Sequence, residues 1–321
     1  MDNDSIVVDE EWAGNRSTTV ALSRSCPTEL PTVVQYLNGL DTAVTVIIAI
    51  TIVLSFATFV ICGKNIRQVL RYTPKRFKSK TIVVLIIYPV VTTLAIISAL
   101  VPKSYFICDT ASHIYFMISA YVFYSLIVDY IGGEEAFIRS SDTQTFNART
   151  PPCCCCLPFL QRSAVTKNRL LFTRLLILQL PIVQSLLFVG LNVVFVEDVE
   201  NFNRIILYFV PFIVVSIIAG VWGLNIIVRM VNPLYSEFKV MGKYVVLQAV
   251  LILCKVQPLV IMGLVTYVTP SCAFPLTLQV QKNAVFQMCL CAEMLVLSLW
   301  AFQLYKTPNK NQQLLEKTES T

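Results

Sequence analysis

The sequence predicts an all-α, polytopic membrane protein of seven transmembrane helices, with the N-terminus outside and the C-terminus in the cytoplasm. Three observations carry that prediction. Hydrophobic residues make up 56% of the 321 and charged residues only 14%, against roughly 25% charged in an average soluble domain, so most of the chain lacks a polar coat to face water. Windows of about 20 apolar residues, the length that crosses a ~30 Å hydrocarbon core as a helix, recur seven times. Lys and Arg alternate between abundant and scarce in the successive segments outside these windows: eighteen fall on one side of the membrane and five on the other. The positive-inside rule places the richer side in the cytoplasm. The formal charge of +6 does not point to nucleic acid, because the basic residues lie in short runs between apolar blocks.

Residues 1–41 form an acidic extracellular tail, with Asp2, Asp4, Asp9, Glu10 and Glu11 near its start. It has no basic n-region followed by an apolar h-region, so no cleaved signal peptide is expected. Its sequons Asn3-Asp4-Ser5 and Asn15-Arg16-Ser17 make Asn3 and Asn15 candidate glycosylation sites. The transmembrane domain occupies 42–305, with spans near 42–62, 81–101, 105–131, 171–196, 205–228, 244–268 and 284–305. The first span serves as its own insertion signal, held by the seven basic residues from Lys64 to Lys80. The cytoplasmic loop 132–170 is too short for a globular domain, and the cytoplasmic tail 306–321 is short and polar.

That loop contains the run Cys153, Cys154, Cys155 and Cys156. Consecutive side chains point in different directions and do not converge on one ion, so zinc is the weaker reading. Disulfides are disfavoured on the cytoplasmic side. A cysteine run beside Leu157, Phe159 and Leu160, with Arg162, Lys167 and Arg169 following, suits S-palmitoylation, with a plain hydrophobic loop as the alternative. On the outer side stand Cys26, Cys108 and Cys272. A disulfide between Cys108 and Cys272 is one of three pairings, and spacing does not choose among them.

Enzyme signatures are absent. There is one His, His113, and no H-E-x-x-H, G-x-S-x-G or phosphate loop. Asp109 and Asp129 lie on one helix, about 30 Å apart at 1.5 Å per residue, so they form no shared-proton dyad. No enzyme activity, metal or cofactor is expected. Ionisable groups deep in a bilayer are costly and mark functional candidates. Lys255 in span six and Glu293 in span seven fall at similar depth, close enough for a pair between them, either as a structural ion pair or as part of a substrate path. Gln257 and the helix break at Pro258 stand beside them, and Pro89, Pro181 and Pro211 interrupt spans two, four and five, as broken helices do where they line cavities. Asp109 and His113 are one turn apart on span three, above Phe116, Tyr121, Phe123, Tyr124 and Tyr130, which read as a ligand wall or, more commonly, as packing. In span five Ser216, Ala219, Gly220 and Gly223 allow close approach of a neighbouring helix, in this chain or a partner.

Taken together, these residues resemble the organic solute transporter alpha family. The resemblance rests on Gly132-Gly133-Glu134-Glu135-Ala136 at the end of span three, the Cys153–Cys156 run, Gln179 in span four, Gln257-Pro258 in span six and Glu293 before Met294 in span seven. It covers residues 80 to 305. It implies sodium-independent facilitated diffusion of bile acids, steroid conjugates or related amphipathic organic anions across the plasma membrane, with endoplasmic reticulum or endosomal membranes as alternatives. It also implies a small single-span beta subunit as partner, besides the lipid bilayer, with homo- or hetero-oligomers open and nucleic acid not expected. The path candidates are then Lys255, Gln257, Pro258, Glu293, Gln179, Asp109, His113 and Asp129, although Lys255 departs from the family's pattern. A seven-span receptor shares this topology. However, residues 197–204 hold no Cys, span three ends in Asp129-Tyr130-Ile131 rather than Asp-Arg-Tyr, and span seven has no N-P-x-x-Y. A non-transporting trafficking or scaffold protein is the third reading.

Two outcomes are expected from the sequence. An epitope tag at the N-terminus is labelled by antibody on intact cells and one at the C-terminus only after permeabilisation; labelling of both on intact cells refutes seven spans. Hydroxylamine-sensitive acyl exchange is detected on the wild type and lost when Cys153 to Cys156 are all changed to Ser, whereas a wild type without exchange leaves the hydrophobic-loop reading.

Overall fold

The computed structural model describes residues 30–133, 135–136, 145–146, 163–164, 166–233, 235–268 and 276–306. Seven helical stretches in it are long and apolar enough to cross a membrane. A short helix, α1 (Val33–Asn38), comes first, closed by a capping box between Thr32 and Gln35. Its Tyr36 is fully buried against Val44, Ile48, Val280 and Ala284, and burial pushes its phenol pKa up. The spans follow as α2 (Thr42–Tyr72), the pair α3 (Lys75–Leu85) and α4 (Ile87–Leu100), α5 (Tyr105–Ile131), α6 (Lys167–Glu197), α7 (Val199–Val231), α8 (Val240–Val268) and α9 (Leu278–Tyr305). A two-residue antiparallel pair, β1 (Thr145–Phe146) with β2 (Ser163–Ala164), closes the base of the long loop. Seven crossings put the two ends of the chain on opposite faces. The face carrying the start of α2 is called the N-side here, and that carrying the end of α9 the C-side.

The helices overrun the apolar windows. Helix α2 continues ten residues past Cys62, carrying Lys64, Arg67 and Arg71 beyond the hydrocarbon, since a helix need not stop where its hydropathy does. Span two is broken between α3 and α4, and the cause is Pro89: it offers no N–H to the carbonyl four residues back, Leu85. The Cys62 thiol of α2 donates to that freed carbonyl at 3.5 Å. Helix α5 ends where Gly132 and Gly133 adopt φ of 94° and 110°. Their N–H groups donate to the carbonyls of Asp129 and Val128, a left-handed cap that only glycine takes without strain and that turns the chain into the loop.

Helix α5 is the hub, packing against α3, α4 and α6 along its length and touching α7 and α8. Phe116, Phe123, Tyr124 and Tyr130 are buried in the core, so the aromatics below His113 are packing rather than a ligand wall. On the C-side Tyr130 stacks on Phe238 at 4.4 Å, and the buried Lys243 donates to Tyr130 Oη at 3.2 Å while lying 4.5 Å from the Tyr305 ring centre. Helices α6 and α7 form a tight antiparallel pair, which identifies the neighbour of the small-residue stripe as α6 of this chain. Gly223 approaches Leu176, Ile177 and the Thr173 carbonyl, and Ser216 exchanges hydrogen bonds with Gln179.

A Cβ on Gly220 would come within 2.2–2.6 Å of Leu180 Cγ, Cδ1 and Cδ2. Leu180 is fully buried and has no space to retreat. Gly220→Ala is therefore expected to destabilise by about 1–3 kcal/mol, read as a lowered thermal midpoint in detergent, while Gly190→Ala, with open space around it, leaves the midpoint unchanged.

Candidate functional site

Helix α5 enters from the N-side with Asp109 one turn in, and α8 reaches the same level from the opposite face. Lys255 lies 15 residues past Val240, about 22 Å along the axis. Its Nζ donates to both oxygens of Asp109, at 2.9 and 3.2 Å. Both side chains remain about a third exposed. The Lys255–Glu293 pair read from depth is thus corrected. Depth along the two helices does not fix which way their side chains turn: in the packed bundle Lys255 faces Asp109 of α5, and Glu293 faces Gln257.

His113, one turn below Asp109, is buried, with its Nε2 at 3.4 Å from Gln184 Oε1 and its ring edge-on to Phe188. Gln184 Nε2 donates in turn to the carbonyl of Ile213 on α7 at 3.0 Å. The Lys255 ammonium lies 5.4 Å from the Phe188 ring centre. Asn192 Nδ2 donates to Thr110 Oγ1 at 2.8 Å. Gln184, Phe188 and Asn192 escaped the sequence reading, although their four-residue spacing places them on one face of α6, where two amides in an otherwise apolar stretch are a usable signal. Among Asp109, Ser112, His113, Phe116, Cys254 and Lys255 lies a cavity of about 10 Å³, close to what a single water molecule requires.

Gln257 and Glu293 do meet, with Gln257 Nε2 donating to Glu293 Oε1 at 2.8 Å. Pro258 follows on α8, within the helix. Gln179 is elsewhere, clasping Ser216 between α6 and α7. Asp129 is also apart, near the C-side end of α5, ion-paired with Lys80 and 3.9 Å from Arg76, so it ties α5 to α3 instead of joining the N-side cluster. Cys108 is buried with its thiol 3.5 Å from Ser104 Oγ. Cys272, Cys153 to Cys156, Asn3 and Asn15 lie outside the described residues. Among the described residues no group of three or more His, Cys, Asp or Glu could hold a metal.

The arrangement offers one cation held by one carboxylate, beside a histidine and an aromatic ring. The model of the family described as organic solute transporter Ostalpha matches residues 47–311. An organic solute transporter alpha-like protein of Drosophila melanogaster is 29% identical over 281 residues, covering 87% of this chain and 85% of the relative. The organic solute transporter subunit alpha of Danio rerio is 26% identical over 286 residues, covering 88% of each, and that of Bos taurus 25% over 275, covering 83% and 80%. These names are those of transporter subunits, not enzymes. No solved structure matches the chain significantly.

Proposed function

This chain belongs to the organic solute transporter Ostalpha family, a family of membrane transporters, and we propose that it moves amphipathic organic anions, such as steroid conjugates or bile acids, across the plasma membrane by facilitated diffusion. A small single-span beta subunit is its partner in this reading. The single observation that carries it is the Asp109–Lys255 pair. An organic anion crossing hydrocarbon needs a counter-charge on the way. Lys255 supplies it: an entering anion replaces Asp109 as its partner, and the released Asp109 carboxylate, about a third exposed, is left to water. Phe188 gives the apolar body of such a ligand a surface, and His113 and Gln184 give its polar groups partners. With a cavity of only about 10 Å³ at rest, passage requires the helices around the pair to part. Pro181, Pro211 and Pro258 interrupt the hydrogen-bond ladders of α6, α7 and α8 and lower the resistance to that motion.

The test is flux of a labelled steroid sulfate into liposomes containing the purified protein, with and without single-span partners. Saturable uptake above protein-free vesicles is expected, and none with any partner leaves the trafficking or scaffold reading. Lys255→Met is expected to lower flux about tenfold or more, the loss of one charge-assisted contact, with surface level retained. If the pair is structural only, Lys255→Met and Asp109→Leu each lose surface level, and the double variant recovers it.

A further inference from the structure

Glu293 and Gln257 sit near the middle of α9 and α8, joined by one hydrogen bond from Gln257 Nε2 to Glu293 Oε1 at 2.8 Å. Their other two oxygens, Glu293 Oε2 and Gln257 Oε1, are both buried and both without a hydrogen-bond partner. An ionised carboxylate and an amide oxygen are acceptors only, so the pair as ionised would leave two acceptors facing low dielectric with nothing to accept. The two groups are joined by one hydrogen bond and each keeps an orphaned oxygen, and a single proton shared by those two oxygens would satisfy both.

We propose that Glu293 is a proton-binding site, its carboxyl neutral and protonated on Oε2, with the acid O–H donating to Gln257 Oε1 to close a two-bond acid–amide pair. The proton comes from water and no other bond changes. No cation opposes this. Lys255 is held by Asp109 and Lys243 by the Tyr130 hydroxyl, and among the described residues Glu293 makes no ion pair. The other titratable groups near it are thiols: Cys254 on α8, and on α9 Cys289 and Cys291, the last accepting from Ser55 of α2 at 3.4 Å. Between Thr42 and Ile61 helix α2 has no ionisable residue, and α4 has only Tyr88 near its far end. A carboxylate there with one N–H donor is far costlier than a neutral acid with two satisfied hydrogen bonds. The carboxyl groups of the helix interiors thus divide by partner: Asp109 and Asp129 face cations, and Glu293 faces an amide. The assignment stands whatever the transported molecule.

Infrared spectroscopy of the full-length protein in lipid nanodiscs at pH 7 tests it through the C=O stretch of a protonated carboxylic acid. One such band is expected in the wild type and in Asp109→Asn, and none in Glu293→Gln, which preserves both hydrogen bonds and a thermal midpoint close to wild type. A wild type without the band, or Glu293→Gln with the band intact, overturns the proposal. Gln257→Leu provides a check that keeps the carboxyl: the band should shift to the higher frequency of an acid without a partner, and an unshifted band overturns the pairing.

Discussion

Hydrocarbon offers no hydrogen bonds, so each polar group that enters the membrane must find its partner inside the bundle, and the packing of this protein follows from that constraint. Helix α5 shows it most clearly. Its polar side chains are answered by different neighbours: Asp109 by Lys255 of α8, Thr110 by Asn192 of α6, Tyr115 by the Val83 carbonyl of α3, and Asp129 by Lys80 of the same helix. A helix with partners on several sides has to stand at the centre, and α5 does. Helices α2, α6 and α7 carry fewer such demands and expose long apolar faces, which is where lipid belongs.

Backbone breaks obey the same constraint. The carbonyl that Pro89 leaves without its helical donor is met by the Cys62 thiol, so the kink in span two is also a contact between spans one and two. Small residues act by distance rather than by hydrogen bonding. Gly220 and Gly223 bring α7 close enough to α6 for Gln179 and Ser216 to bond reciprocally, and that closeness lets Gln184 reach the Ile213 carbonyl while its oxygen stays near His113. The ion pair at the N-side therefore rests on packing one helix away.

Much was legible in the residues alone. Length and hydropathy give seven spans, because crossing ~30 Å needs about twenty apolar residues and nothing subtler. The family was legible too, through the order of Gly132-Gly133-Glu134-Glu135, Gln179, Gln257-Pro258 and Glu293, and the role of the two glycines as a helix cap explains their place in that order. Lys255, Asp109, Gln257 and Glu293 were recognisable one by one as costly groups in an apolar setting.

Their pairing was not recognisable. Depth along a helix follows from residue number, but which way a side chain faces depends on the rotation and tilt of its helix, and those are fixed by contacts with helices far away in sequence. A long lysine widens the choice, since it can reach a carboxylate well above its own Cα. So the sequence by itself determined that a positive and several acidic or amide groups must be reconciled within the bilayer. Only the tertiary structure decided that Lys255 answers Asp109 and leaves Glu293 to Gln257, because only the packed helices determine which polar atoms come within about 3 Å of each other.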